Sequence, residues 1–154
     1  MTTAFPLTPL QQGMYLESAG SSQPWIYLEQ IICHLDDEPI DAAAMRAAWT
    51  DIAAKHPALR LTITLDETLS QQVNAPSPIE VTFLDWSQRS ASEISADLET
   101  FLVKDRAEGV AADHYPGFCL TLIKTGQKNG KLIWTFPHTL LDGRSFALVL
   151  TEVF

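Results

Sequence analysis

A two-layer α/β sandwich, with a mixed, largely antiparallel sheet and helices packed on it, is the fold class this sequence predicts. Three observations support it. Runs with a period of two are interleaved with runs at helical spacing. Two strand-like runs flank a segment containing Asn129-Gly130, which marks an antiparallel hairpin. The resulting order, helix, strand, helix, strands, helix, hairpin, helix, is that of one layered α/β domain. The chain has 154 residues, 46% hydrophobic and 19% charged, with mean hydropathy +0.03, which suits a single globular domain with a sizeable core.

Taken in order, Thr8-Pro9-Leu10-Gln11 has the form of a helix start, with Thr8 as cap, Pro9 at the first position and Gln11 completing a capping box. The helix is expected to reach about Glu17, turn Leu10, Met14 and Tyr15 inward, and bring the backbone close to a neighbour at Gly13. Trp25 to Leu35 reads as one long strand. Asp41 caps a helix with a core stripe of Met45, Ala48, Trp49 and Ile52, which Pro57 ends. Leu59, Leu61, Ile63 and Leu65 alternate with Arg60, Thr62 and Thr64, predicting a strand with one buried face and Arg60 turned away from it. Gln71 to Asn74 and Ile79 to Leu84 are extended segments interrupted by Pro76 and Pro78. Ser90 and Glu93 form a second capping box for a helix that stops near Gly109, with Asp97, Glu99, Lys104 and Asp105 as its solvated face. His34 reads as a surface or satisfied histidine, and His114 has no assigned role.

Ten Lys plus Arg against nineteen Asp plus Glu leave a formal charge of −9, and no basic cluster occurs. That excludes nucleic acid and anionic membrane as partners. The N-terminus lacks a basic segment and a long apolar region, and no run approaches a membrane span, so the expected location is cytoplasmic. Cys33 and Cys119 lie in apolar strand-like runs as reduced, packed thiols, without the spacing of a zinc site.

Chemistry concentrates at Phe136-Pro137-His138-Thr139-Leu140-Leu141-Asp142-Gly143. The run Lys131 to Phe136 has strand period, and Pro137 should end it because proline cannot donate to a ladder. Phe146, Val149, Leu150 and Val153 recur at helical spacing, so the segment is a strand-to-helix loop. It can aim the imidazole of His138 into a cleft, with Gly143 supplying backbone freedom. The plainer reading makes His138 an ordinary polar residue at a strand end and Asp142 the N-cap of the last helix.

Three stretches together resemble the condensation domains of nonribosomal peptide synthetases, relatives of chloramphenicol acetyltransferase. Pro6 to Met14 resembles their opening motif, Lys55-His56-Pro57-Ala58-Leu59-Arg60 their Arg-His-Glu-x-Leu-Arg motif, and His138 to Gly143 their His-His-x-x-x-Asp-Gly signature. Pro137 stands where the first signature histidine is usual. The resemblance implies a chloramphenicol-acetyltransferase-like fold and catalytic roles for His138 and Gly143. His138 would deprotonate or orient an acceptor amine attacking a donor thioester, work that suits imidazole chemistry. It further implies a structural ion pair between Asp142 and Arg60. No cofactor binds directly; the substrates ride on phosphopantetheine arms of donor and acceptor carrier proteins.

The resemblance covers the N-terminal half of such a domain, so a C-terminal subdomain is expected as a missing partner. The fragment alone should be inactive and should self-associate through apolar surface at Phe146, Leu150, Val153 and Phe154. Epimerisation or ester formation by the same superfamily, and a non-catalytic carrier-docking module, are the alternatives.

Overall fold

A computed structural model describes residues 4–23, 26–65 and 68–154. Each helix begins where its capping chemistry predicts. In α1 (Pro9–Gly20) the Thr8 hydroxyl accepts the Gln11 N–H while the Gln11 side chain answers the Thr8 N–H. Asp41 caps α2 (Ala42–Lys55) through the N–H groups of Ala43 and Ala44. The Ser90–Glu93 box opens α3 (Ala91–Glu108), and Gly109 ends it at φ 65°, a conformation in which a Cβ would be strained. Asp142 caps α4 (Gly143–Val153).

The main sheet contains β2 (Leu28–Leu35), β7 (Gly130–Pro137), β6 (Cys119–Lys124) and β5 (Thr82–Asp85) in that spatial order. All neighbours are antiparallel except β5 and β6, so the sheet is mixed. A second sheet joins β1 (Phe5–Pro6), β4 (Leu69–Val73) and β3 (Leu61–Leu65). Trp25, at the predicted start of the long strand, lies outside the described residues, and β2 begins at Leu28 after Tyr27 at φ 62°. Gly130 at the hairpin is closely enclosed: an added Cβ would lie 2.7 Å from Ile40 Cδ1 and 2.8 Å from the Ile123 carbonyl oxygen, so a neighbour would have to shift.

Helices cover both faces of the main sheet. On one, α2 and α4 bury Trp49, Leu132, Trp134, Phe136 and Val149, with the Trp49 and Trp134 rings edge to face at 4.8 Å. On the other, Ile94, Leu98, Phe101 and Leu102 of α3 pack over Ile32, Ile123 and Ile133. This explains why β7 is buried on both sides although its sequence alternates: Ile133 and Thr135 sit under α3 at 1% exposure each.

Several expectations are corrected. Pro57–Arg60 is a 3-10 turn, so the strand starts at Leu61, and Thr62 and Ile63 are both buried while Leu65 is exposed. The middle of β3 is covered on both sides. The Thr62 hydroxyl accepts from Asn74 Nδ2 at 3.0 Å, and the Ile63 N–H donates to the Ala112 carbonyl at 2.7 Å. Leu10 is 72% exposed, because α1 turns Gln11, Met14 and Tyr15 inward, and Gly13 faces open space. Asp105 is no solvated charge: it accepts from Thr135 Oγ1 and Gln30 Nε2, each at 2.6 Å, tying α3 to β7 and β2. Cys33 is half-buried and burial pushes its thiol pKa up; Cys119 is exposed by accessible area, yet the partial cover over its sulfur and then the Asp105 and Glu108 carboxylates push its pKa up too. Phe146, Leu150 and Val153 are partly buried against the main core, Leu148 and Phe154 are exposed, and Leu150, Val153 and Phe154 line an open apolar groove with Ile40 and Met45.

Candidate active site

The loop between β7 and α4 is held mainly by main-chain groups. The His138 N–H donates to the Tyr27 carbonyl at 2.7 Å, continuing the β2–β7 register one step beyond Leu28 and Pro137. The Leu140 N–H then donates to the Pro137 carbonyl at 2.9 Å, making a turn whose central residues are His138 and Thr139. Pro137 loses nothing by lacking an N–H here, since its ring closes the strand and its carbonyl closes the turn.

That turn aims the imidazole. His138 Nδ1 lies 2.8 Å from the Leu141 carbonyl oxygen. A carbonyl only accepts, so Nδ1 carries a proton, and whenever the ring is neutral its lone pair is on Nε2. Nε2 makes no hydrogen bond to the described residues, and the ring is half-buried. A neutral imidazole fixed through Nδ1, with Nε2 free, is the arrangement a general base requires.

Asp142 and Arg60 do not pair. The Asp142 carboxylate accepts from Ser145 N at 2.8 Å and Arg144 N at 3.2 Å. Hydrogen bonding from Ser145 above all, then from the Arg144 N–H, with the nearby His138 ring adding to it, holds its carboxyl below the usual carboxylate range. The Arg60 guanidinium donates from Nε to the Ala53 carbonyl at 2.9 Å and from Nη1 to the Asn74 carbonyl. It therefore staples the end of α2 to the chain leaving β4. The expected ion pair fails because the first-turn N–H groups of α4 lie two and three residues from Asp142, while two carbonyls beside Arg60 take its donors.

Gly143 is the first residue of α4, exposed, at no positive φ. A Cβ there would meet only Phe146 Cε1 at 4.0 Å, so the local backbone does not require glycine, and the position opens outward beside Asp142. The second motif anchors the far end of α4: Glu152 accepts from Lys55 Nζ at 2.7 Å and lies 2.8 Å from His56 Nε2. Those two contacts lower the Glu152 pKa. His34 Nδ1 accepts from Lys131 Nζ at 3.1 Å, far along β2 from the loop.

A cleft of about 250 Å³ lies between α1, the Tyr27 turn and the Val110–Ala112 segment, with Pro137 and Thr139 at its end. A larger apolar groove of about 620 Å³, beside Ile40, Met45, Leu150 and Phe154, contains none of the predicted site residues. Among the described residues no group of three His, Cys, Asp or Glu side chains is placed to hold a metal ion, and no helix is long and apolar enough to cross a membrane. Sequence reasoning missed Tyr27 and Leu141, which act through main-chain carbonyls and so leave no side-chain signal. It found Gln11 as a capping residue and as part of the opening motif, with no contact to the histidine loop.

The Condensation domain family matches residues 1–154. The chain belongs to that family. It is 34% identical over 155 residues to one component protein of the linear gramicidin synthase of Brevibacillus parabrevis, covering 99% of this chain and 2% of that protein. Another component of the same synthase is 33% identical over 150 residues, covering 96% of this chain and 3% of its own length. Among solved structures, the starter condensation domain of rhizomide synthetase superposes with a TM-score of 0.84 at 20% identity, over 98% of this chain and 38% of that one. The first condensation domain of the calcium-dependent antibiotic synthetase gives 0.85 at 20% identity, over 98% and 36%. These superpositions establish the chloramphenicol-acetyltransferase-like fold. The chain thus spans little more than a third of the solved domains and a few per cent of the curated synthetases it resembles.

Proposed function

We propose that this chain supplies the histidine-bearing part of a condensation domain that forms peptide bonds in nonribosomal synthesis. The observation that carries the reading is the His138 ring, fixed through Nδ1 to the Leu141 carbonyl with Nε2 unpartnered among the described residues. In the proposed reaction, Nε2 takes a proton from, or hydrogen-bonds to, the amine of an aminoacyl thioester on the acceptor carrier protein. The amine nitrogen attacks the donor thioester carbonyl, the C–N bond forms, the C–S bond breaks, and the proton lost by the amine passes to the departing sulfur, so the donor phosphopantetheine leaves as a thiol. Gly143 is assigned a place beside the reacting centre, Asp142 caps α4 at the end of the loop, and Arg60 ties the end of α2 to the chain leaving β4. Both arms enter from carrier proteins, so no cofactor is bound by the chain itself.

Residues 1–154 are read as the N-terminal subdomain, with the opposite wall of the cleft formed by the remainder of a condensation domain. This part alone is expected to be inactive because it cannot position both thioesters. The test supplies donor and acceptor carrier-protein thioesters to a complete condensation domain carrying this chain and identifies the product. An amide supports the proposal. A racemised donor with no coupling, or an ester, shifts it to the related acyltransfer and epimerisation chemistries, and carrier binding without turnover reduces it to docking.

A further inference from the structure

Among the described residues, Gln11 is the one side chain from outside the loop that hydrogen-bonds to the histidine turn. Its Nε2 donates to the Thr139 carbonyl at 3.0 Å, across 128 residues of sequence. Its Oε1 is simultaneously the acceptor of the α1 capping box, taking the Thr8 N–H at 3.0 Å. Gln71, 5% exposed on β4, forms a reciprocal amide pair with Gln11, 3.2 Å in each direction, and also donates to the Pro6 carbonyl at 3.2 Å. The donor that reaches the loop is thus held by groups from α1, β1 and β4.

The bond falls at a sensitive point. The peptide between Thr139 and Leu140 is fixed at both ends, its N–H by the Pro137 carbonyl and its C=O by Gln11. Leu141 follows directly, and its carbonyl holds His138 Nδ1. Any rotation of the Thr139–Leu140 peptide displaces the acceptor that sets the imidazole's tautomer and direction. We infer that Gln11 is a positioning residue for His138, acting through the Thr139 carbonyl and the Leu141 carbonyl rather than by touching substrate. The inference rests on the proposed role of His138.

Gln11→Glu keeps the size of the side chain and the Oε1 acceptor for Thr8 and Gln71, but replaces the donor facing Thr139 with an oxygen. Gln71→Met removes the amide pair while leaving the Gln11–Thr139 bond. Both variants, with His138→Ala, are made in a complete condensation domain carrying this chain and assayed with carrier-protein thioesters. The tautomer of His138 is read by nitrogen NMR. For Gln11→Glu the expected result is about a tenfold loss of kcat, with KM little changed, and loss of the Nδ1-protonated signature. Gln71→Met, which loosens the hold on Gln11 but leaves its donor in place, is expected to lose clearly less of both the rate and the signature than Gln11→Glu. A Gln11→Glu enzyme with wild-type kcat and an intact Nδ1–H signal overturns the inference, as does an equal loss in Gln71→Met. Should Gln11→Glu not fold, Gln11→Met, which also lacks the donor, is read in the same way. If His138→Ala turns over at the wild-type rate, the proposed function is what fails, and the tautomer signal still decides the positioning.

Discussion

Arg60 and Asp142 face different partners: the guanidinium is spent on the Ala53 and Asn74 carbonyls, and the carboxylate on the first-turn N–H groups of α4. Their substitutions should therefore be independent. Arg60→Ala is expected to cost roughly 1.5–3 kcal/mol, the range for hydrogen bonds from a charged donor. In a double-mutant cycle with Asp142→Ala, measured by urea unfolding, the effects should add to within about 0.5 kcal/mol. A larger coupling would restore the ion pair.

Asp142 should also carry a pH signature. Its folded pKa lies below the unfolded value, so its stabilising effect is fully present above the ordinary carboxylate range and is lost as pH falls through the depressed folded value. Asp142→Asn, which can still cap, should stay close to wild type in Tm at neutral pH, whereas Asp142→Ala should fall by a few degrees, on the scale of a lost cap. The Ala variant should lose less additional stability on acidification. Parallel Tm-against-pH curves for wild type and Ala variant would contradict this.

Asp105 joins three elements, and its loss leaves Thr135 Oγ1 without its acceptor and Gln30 Nε2 with only the Leu102 carbonyl. Because Thr135 is buried, Asp105→Ala is expected to destabilise by roughly 1–3 kcal/mol. A denaturation midpoint equal to wild type would return Asp105 to the solvated face that its helical position suggested.

Gly130→Ala should be among the most damaging single-methyl changes. The new Cβ would press on Ile40 Cδ1, which can move, and on the Ile123 carbonyl oxygen, which is fixed in β6. A loss of about 1–3 kcal/mol is expected in urea unfolding, and Ile40→Ala in the same chain should recover only part of it.

What was legible in the sequence follows a physical divide. Local chemistry was readable: the boxes at Thr8 and Ser90, the caps at Asp41 and Asp142, the helix stop at Gly109 and the hairpin at Gly130 each depend on a few neighbouring residues. Periodicity failed where a strand is covered on both faces, as at Thr62 and Ile63 of β3 and Ile133 and Thr135 of β7. Asp105 looked like surface charge because its partners come from strands 30 and 75 residues away. His138 was visible from its motif, but the groups that orient it are the carbonyls of Leu141 and Tyr27, which any residue type would provide.

The most direct measurement of the central claim is the steady-state condensation rate of His138→Ala in a complete condensation domain carrying this chain, with folding checked by circular dichroism. The account predicts a native spectrum and a loss of about a hundredfold or more in kcat, as expected for a removed general base. A folded His138→Ala enzyme condensing at the wild-type rate would contradict it.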